Sequence, residues 1–181
     1  FLCMLFPIGG NAQVAFMAPT EVLAEQHFKS VLNLAKKLNL SVDLLTGSTK
    51  PKERDVLLKN LLSGKTNILI GTHALIEERV QFKKLGLVVI DEQHKFGVAQ
   101  RAKLWSKKEK YYPHILVMTA TPIPRTLSMT LYGDLDVSII DELPPGRKEV
   151  KTLWRSDSSR LKIIRFMHEQ IKLGRQIYIV F

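Results

Sequence analysis

Leu87-Val88-Val89-Ile90-Asp91-Glu92-Gln93-His94 is the stretch whose reading decides the fold. Four apolar residues in a row, three of them β-branched, read as a strand buried on both faces. Two carboxylates follow where that strand ends. Open parallel sheets bind their ligands in the crevice outside the carboxyl ends of their strands. Asp91 and Glu92 therefore stand where such a sheet does its chemistry. The plain alternative is an acidic turn that closes a strand, and the rest of the chain decides between the two.

Three further runs share the pattern. Val14–Met17 leads into Ala18-Pro19-Thr20-Glu21, Ile68–Ile70 into Gly71-Thr72-His73-Ala74, and Ile115–Met118 into Thr119-Ala120-Thr121-Pro122. Each is a short apolar strand ending in a polar turn. Helices separate them. Glu21 to Leu38 carries Leu23, Phe28, Val31, Leu32, Ala35 and Leu38 at helical spacing, with Thr20 as N-cap. Ser41–Leu45 is a strand ending at Thr46-Gly47-Ser48. Pro51 to Leu62 is a helix with Pro51 in its first turn and Val56, Leu57, Leu61 and Leu62 as its buried stripe. Strands alternating with helices of this length imply right-handed βαβ units and an α/β fold with one parallel sheet flanked by helices. Asp141-Glu142-Leu143-Pro144-Pro145-Gly146-Arg147 breaks the alternation, because Pro-Pro-Gly continues neither a helix nor a central strand. It reads as a linker over 141–149, between a first lobe of residues 1–140 and the beginning of a second over 150–181. In the second, Val150–Trp154 and Ile177–Phe181 are expected as strands. Ser158–Leu173 is expected as the helix between them, with Ile163, Ile164, Met167 and Ile171 as its apolar face and Gly174 as its end.

With 181 residues, 45% of them apolar, the chain has material for one core and part of another. Its first residue is Phe1 and not Met, so it is expected to be a piece of a longer protein, and Phe1–Phe6 reads as the last turns of a buried helix. That run is too short to span a membrane and lacks the flanks of a signal peptide. The single Cys3 excludes an internal disulfide and a zinc cluster. The net charge of +10, from 27 basic against 17 acidic residues, favours a polyanionic partner. The basic residues are dispersed, so folding must assemble any binding surface.

Taken in order, "DEQHKFGVAQR" (91–101), "MTATPIPRTL" (118–127) and "YGDLDVSIIDELPPGR" (132–147), with the three earlier strand-end turns, resemble the motor of superfamily 2 helicases, and within them the RecG family of bacterial ATP-dependent DNA helicases. The resemblance runs from about Val14 to Phe181. Gln93 favours that family over the transcription-repair coupling translocases, whose box reads DEEH. Thr119-Ala120-Thr121 with Asp91–His94 argues against an RNA helicase, whose corresponding motifs read DEAD or DExH and SAT. Lys95 is a departure; the family has Arg there, and Lys keeps the charge without the bidentate fork.

The resemblance implies RecA-like lobes, with ATP and Mg²⁺ as cofactors. Asp91 would hold the metal, a hard cation that prefers carboxylates, and Glu92 would orient and deprotonate the attacking water. Gln93 and His94 would couple the nucleotide to the second lobe and the DNA; a solvated turn is the plain alternative for His94. Thr119 and Thr121 would relay nucleotide state, a role compatible with capping a helix. The implied activity is translocation on duplex DNA that remodels stalled forks and branched recombination intermediates, by a monomer in the bacterial cytoplasm.

One half of the nucleotide site is missing. A phosphate cradle reads G-x-x-x-x-G-K-[ST] between a strand and a helix. Gly64-Lys65-Thr66 follows a helix and precedes a strand, and the residue five before Gly64 is Lys59. Pro7–Asn11 reads as the turn after the cradle's helix, so the cradle itself is expected before Phe1. DNA contacts are expected from the strand-end turns Pro19-Thr20, Thr46-Gly47-Ser48 and Gly71-Thr72-His73, whose N–H groups and hydroxyls suit phosphates without regard to base sequence, and from Gln100 and Arg101. Each turn taken singly is equally well a bare strand-to-helix connection. The rival from another class is a nucleic-acid-binding α/β module without ATPase activity.

Overall fold

A computed structural model describes residues 1–92, 112–120, 136–142, 144–148 and 150–180. The chain divides into two compact units, Phe1–Gly133 and Asp134–Phe181.

The first unit runs α1 (Leu2–Gly9), β1 (Gln13–Met17), α2 (Glu21–Lys36), β2 (Val42–Leu45), α3 (Pro51–Ser63), β3 (Ile68–Gly71), a 3₁₀ turn (His73–Ile76), β4 (Leu85–Asp91) and β5 (His114–Met118). The five strands form one sheet in the order β2-β3-β1-β4-β5, and every pairing is parallel. Alternate residues of each central strand point to opposite faces. Ala15, Met17, Leu69, Val88 and Ile90 pack with Leu57 and Leu61 of α3. Val14, Phe16, Ile68, Ile70, Leu87 and Val89 pack with Ala24, Val31 and Ala35 of α2 and Met4 of α1. This two-sided burial explains why the strands read as unbroken apolar runs.

One glycine and one buried glutamine tie the strands together. A Cβ on Gly71 would lie 2.1 Å from the Leu45 carbonyl oxygen, so β2 and β3 meet at a position only glycine fits. Gln13 is buried and fully used: its Nε2 donates to the carbonyls of Leu61 and Thr66 (2.9 and 2.8 Å), and its Oε1 accepts from the N–H groups of Lys83 and Lys84 (2.7 and 3.1 Å). It ties β1 to the end of α3 and the approach to β4. Gly64, at φ +81, caps α3 in the left-handed conformation, and the buried Thr66 bonds Asp43. Gly64-Lys65-Thr66 is thus a helix end.

Several boundaries and faces differ from expectation. Helix α1 continues through Pro7 to Gly9 where a turn was expected. It is not a buried helix, for Met4 alone is buried and Leu2 and Phe6 are exposed; one helix on a sheet face buries only its inward stripe. Leu38 is exposed because α2 stops at Lys36, two residues before it. On α3 the inward stripe is Leu57 and Leu61, flanked by Leu58, while Val56 and Leu62 face outward.

In the second unit, Arg147 N–H closes a turn on the Pro144 carbonyl (3.1 Å) with Gly146 at φ +83. The strands expected over Val150–Trp154 and Ile177–Phe181 do not form: residues 150–154 and 177–180 carry no regular structure, and Phe181 lies outside the described residues. A strand persists only as part of a ladder with a covered face, and two isolated segments about one helix supply neither. The helix begins as a 3₁₀ turn (Asp157–Ser159) and continues as α4 (Arg160–Lys172), ended by Gly174 at φ +75. Its Ile163, Ile164 and Ile171 are exposed and not buried.

Candidate active site and nucleic-acid rim

The parallel sheet brings every described site residue to one rim. Thr46 follows β2, Thr72 follows β3, Pro19 and Thr20 follow β1, Asp91 ends β4 and Thr119 follows β5. Register aligns Asp91 with Met118, so Asp91 and Thr119 stand on adjacent strands at the same edge. After β1 the chain runs toward β2, and after β4 toward β5. The crevice between the ends of β1 and β4 is therefore the switch point at which such sheets take their ligands.

Asp91 closes that crevice from the β4 side. Its Oδ2 lies 2.8 Å from His27 Nε2 on α2, and the side chains are 20% and 30% exposed. The His27 ring also packs on Phe16 of β1, with centroids 4.6 Å apart and planes at 45°. Sequence reasoning passed over His27. A signal existed: it falls three residues after Ala24 and four before Val31, on the stripe that α2 buries. A polar ring at such a position calls for a partner. Glu92 follows Asp91 in the left-handed region at φ +48, half-buried.

The Asp91 carboxylate is of the chemical kind that Mg²⁺ takes as a ligand. Among the described residues no three His, Cys, Asp or Glu side chains gather into a cage. One or two carboxylates completed by water and nucleotide phosphates are what Mg²⁺ commonly uses. Among those residues the only hydrogen bond of the Asp91 carboxylate is with His27, through one oxygen of two.

The turns on the other side of the crevice are locked together. Ser48 donates its N–H and hydroxyl to Glu21 (3.2 and 2.9 Å). Since the single Ser48 hydroxyl hydrogen goes to that carboxylate, Thr46 Oγ1, 2.9 Å away, donates to Ser48. Thr46 N–H bonds Thr49 Oγ1 at 3.0 Å. Two donors expected to face phosphate are therefore engaged by a carboxylate of the first turn of α2. Thr20 Oγ1 accepts from Leu23 N–H at 3.3 Å, as the expected N-cap. Thr20, Gly47, Ser48 and His73 are exposed and Pro19 half-exposed, whereas Thr46, Gly71 and Thr72 are buried. Thr72 Oγ1, in a residue 2% exposed, has no hydrogen-bond partner among the described residues. Gln93, His94, Gln100, Arg101 and Thr121 lie outside the described residues. Among the described residues no helix is long and apolar enough to cross a membrane.

Residues 2–130 match the family model "DEAD/DEAH box helicase". The chain is 48% identical over 180 residues to the ATP-dependent DNA helicase RecG of Aquifex aeolicus, covering 99% of the chain and 23% of that protein. It is 51% identical to RecG of Escherichia coli K12, covering 98% of the chain and 26% of that protein. A solved structure of RecG bound to a three-way DNA junction superposes with a TM-score of 0.84 at 42% identity, over 99% of this chain and 24% of that one. The chain spans about a quarter of the length of these relatives and fits a fragment of a RecG-type helicase, and its sheet is the RecA-like one.

Proposed function

Since the chain belongs to the DEAD/DEAH box helicase family, we propose that it forms the metal-and-base half of an ATPase site in a motor that moves on duplex DNA. The observation that carries this reading is the pair Asp91-Glu92 at the carboxyl end of β4, beside Thr119 and facing the switch-point crevice. In phosphoryl transfer the protein mainly positions groups and neutralises charge. Asp91 would hold Mg²⁺ through its carboxylate, and the ion would screen the phosphate oxygens when bound. Glu92, set at an unusual backbone angle, would orient a water and accept its proton. Gln93, His94, Thr119 and Thr121 would link nucleotide state to the rest of the motor. The turns after β1, β2 and β3, with Gln100 and Arg101, would meet DNA phosphates without reading bases. We read residues 1–140 as a first RecA-like lobe, 141–149 as the interlobe linker and 150–181 as the start of a second lobe. Remodelling of forked or branched DNA by a monomer in the bacterial cytoplasm is the reading of the whole protein. Its support is the identity to bacterial RecG helicases and the likeness to RecG on a three-way junction.

The test is a pair of substitutions in the full-length protein. Glu92→Gln keeps shape and hydrogen bonding but accepts no proton, so DNA-stimulated ATP hydrolysis should fall about a hundredfold or more with nucleotide affinity retained. Asp91→Ala should instead weaken nucleotide binding in a Mg²⁺-dependent way. A Glu92→Gln enzyme that keeps a substantial part of its turnover removes Glu92 from the role of base.

The rival, a nucleic-acid module without ATPase activity, is favoured by one observation: these 181 residues contain no phosphate-cradle motif. Accordingly the 181-residue chain alone should release no phosphate above background from Mg-ATP, with or without DNA. Hydrolysis by the purified chain that disappears on Glu92→Gln would show a cradle of another kind.

A further inference from the structure

His27 belongs to none of the motifs that carry the resemblance, yet it makes the only side-chain hydrogen bond of Asp91 among the described residues, at 2.8 Å. We propose that His27 is a positioning residue for Asp91, which pins Oδ2 and so presents the other carboxylate oxygen to the metal. The inference rests on the reading of Asp91 as the metal-holding carboxylate.

Three features of the geometry support it. An ionised carboxylate only accepts hydrogen bonds, so Nε2 carries the hydrogen and donates. The ring is itself fixed, by Phe16 on one side and by the buried stripe of α2 that carries it. A donor on a rigid helix holds a carboxylate better than a mobile side chain would. Finally, the pair joins α2, which follows β1, to the tip of β4, across the switch-point crevice. Outer partners of this kind orient metal ligands, and their removal commonly weakens metal binding without unfolding the site. A purely structural His27 would need only its ring; a positioning His27 needs its N–H.

The experiment separates ring from donor. The Mg²⁺ dependence of fluorescent ATP-analogue binding is measured in the full-length protein, for wild type, His27→Phe, His27→Gln and Asp91→Ala. Phe keeps the packing on Phe16 and loses the donor; Gln restores an N–H at about the same reach. His27→Phe should raise the Mg²⁺ concentration for half-maximal nucleotide binding roughly tenfold, with His27→Gln within about twofold of wild type. His27→Ala is the second donor-free variant if Phe disturbs the fold, and thermal unfolding identifies that case. A wild-type Mg²⁺ dependence in the donor-free variants, with Asp91→Ala shifted, overturns the role of His27 alone. Equal losses in His27→Phe and His27→Gln overturn it in favour of a packing role. An unshifted Asp91→Ala overturns the metal reading of Asp91 and this inference with it.

Discussion

Glu92 holds φ at +48, a region in which a residue with a Cβ costs about 1–2 kcal/mol. Strain of this kind persists where neighbouring structure over-determines it, and it gathers at functional sites. Its neighbour Asp91 is still paired in the sheet, while Glu92 is the first residue to leave it. The turn separates two adjacent carboxylates into two settings, one tied to His27 and one half-buried beyond the strand end. Gly71 shows a different constraint at the same scale. Its need for glycine comes from proximity and not from a left-handed backbone, since a Cβ would overlap the Leu45 carbonyl oxygen. A backbone atom cannot swing aside as a side chain can. Gly71→Ala should therefore force β2 from β3 and cost roughly 3 kcal/mol or more, at the upper end of overpacking effects. Urea unfolding of the purified variant measures it, and a loss below about 1 kcal/mol would mean the strands separate easily there.

Between elements, the Glu21–Ser48 clasp decides how the rim is held. Glu21 opens α2 and Ser48 opens the approach to α3, and two hydrogen bonds to one carboxylate join them. Glu21→Ala and Ser48→Ala should each destabilise, and the double variant should show a coupling of about 0.5–1.5 kcal/mol, the net range of a typical intramolecular hydrogen bond. Ser48→Ala keeps the backbone N–H bond to Glu21, so strict additivity in that cycle would mean the Ser48 hydroxyl bond contributes nothing to the fold. These contacts also mark where sequence reading stops. The five strands were legible because each apolar run is too short for a helix and ends in turn residues, and α2 and α3 because Thr20, Pro51 and Gly64 punctuate them. Period alone gave α3 too wide an inward face, which took in Val56 and Leu62, and carried α2 past its end at Lys36 to Leu38. The rim itself was legible as a row of polar turns at the strand ends. That Ser48 would give its donors to Glu21, and Asp91 an oxygen to His27, was not. Both contacts join residues far apart in sequence, and which pairs meet depends on how helices settle on the sheet. The strands of the second unit failed for a related reason, since strand propensity without a pairing partner leaves a segment irregular.

For the whole chain the governing quantity is charge. A net +10 over 181 residues, with no basic tail, spreads attraction over a folded surface. The exposed part of the rim is mixed, with Ser48 beside the Glu21 carboxylate and His73 exposed. No run of arginines stands ready to fork onto base edges there, among the described residues. On the proposed reading, dispersed lysines and turn N–H groups would hold the backbone of DNA, with a strength that comes from released counterions. Two consequences separate it from base readout. Scrambling the sequence of a duplex should leave affinity unchanged, and raising salt should weaken all sequences in parallel. Each phosphate contact contributes about 0.9 to the slope of log affinity against log salt, so about four contacts predict roughly a hundredfold loss between about 50 and 200 mM salt. Anisotropy titrations of the full-length protein on two unrelated duplexes across that range measure both quantities. Parallel lines of slope near −3 to −4 are the expected result. A shallow slope, or lines that separate by more than about 1.4 kcal/mol (a tenfold difference in affinity), would mean that contacts other than phosphate neutralisation hold the DNA.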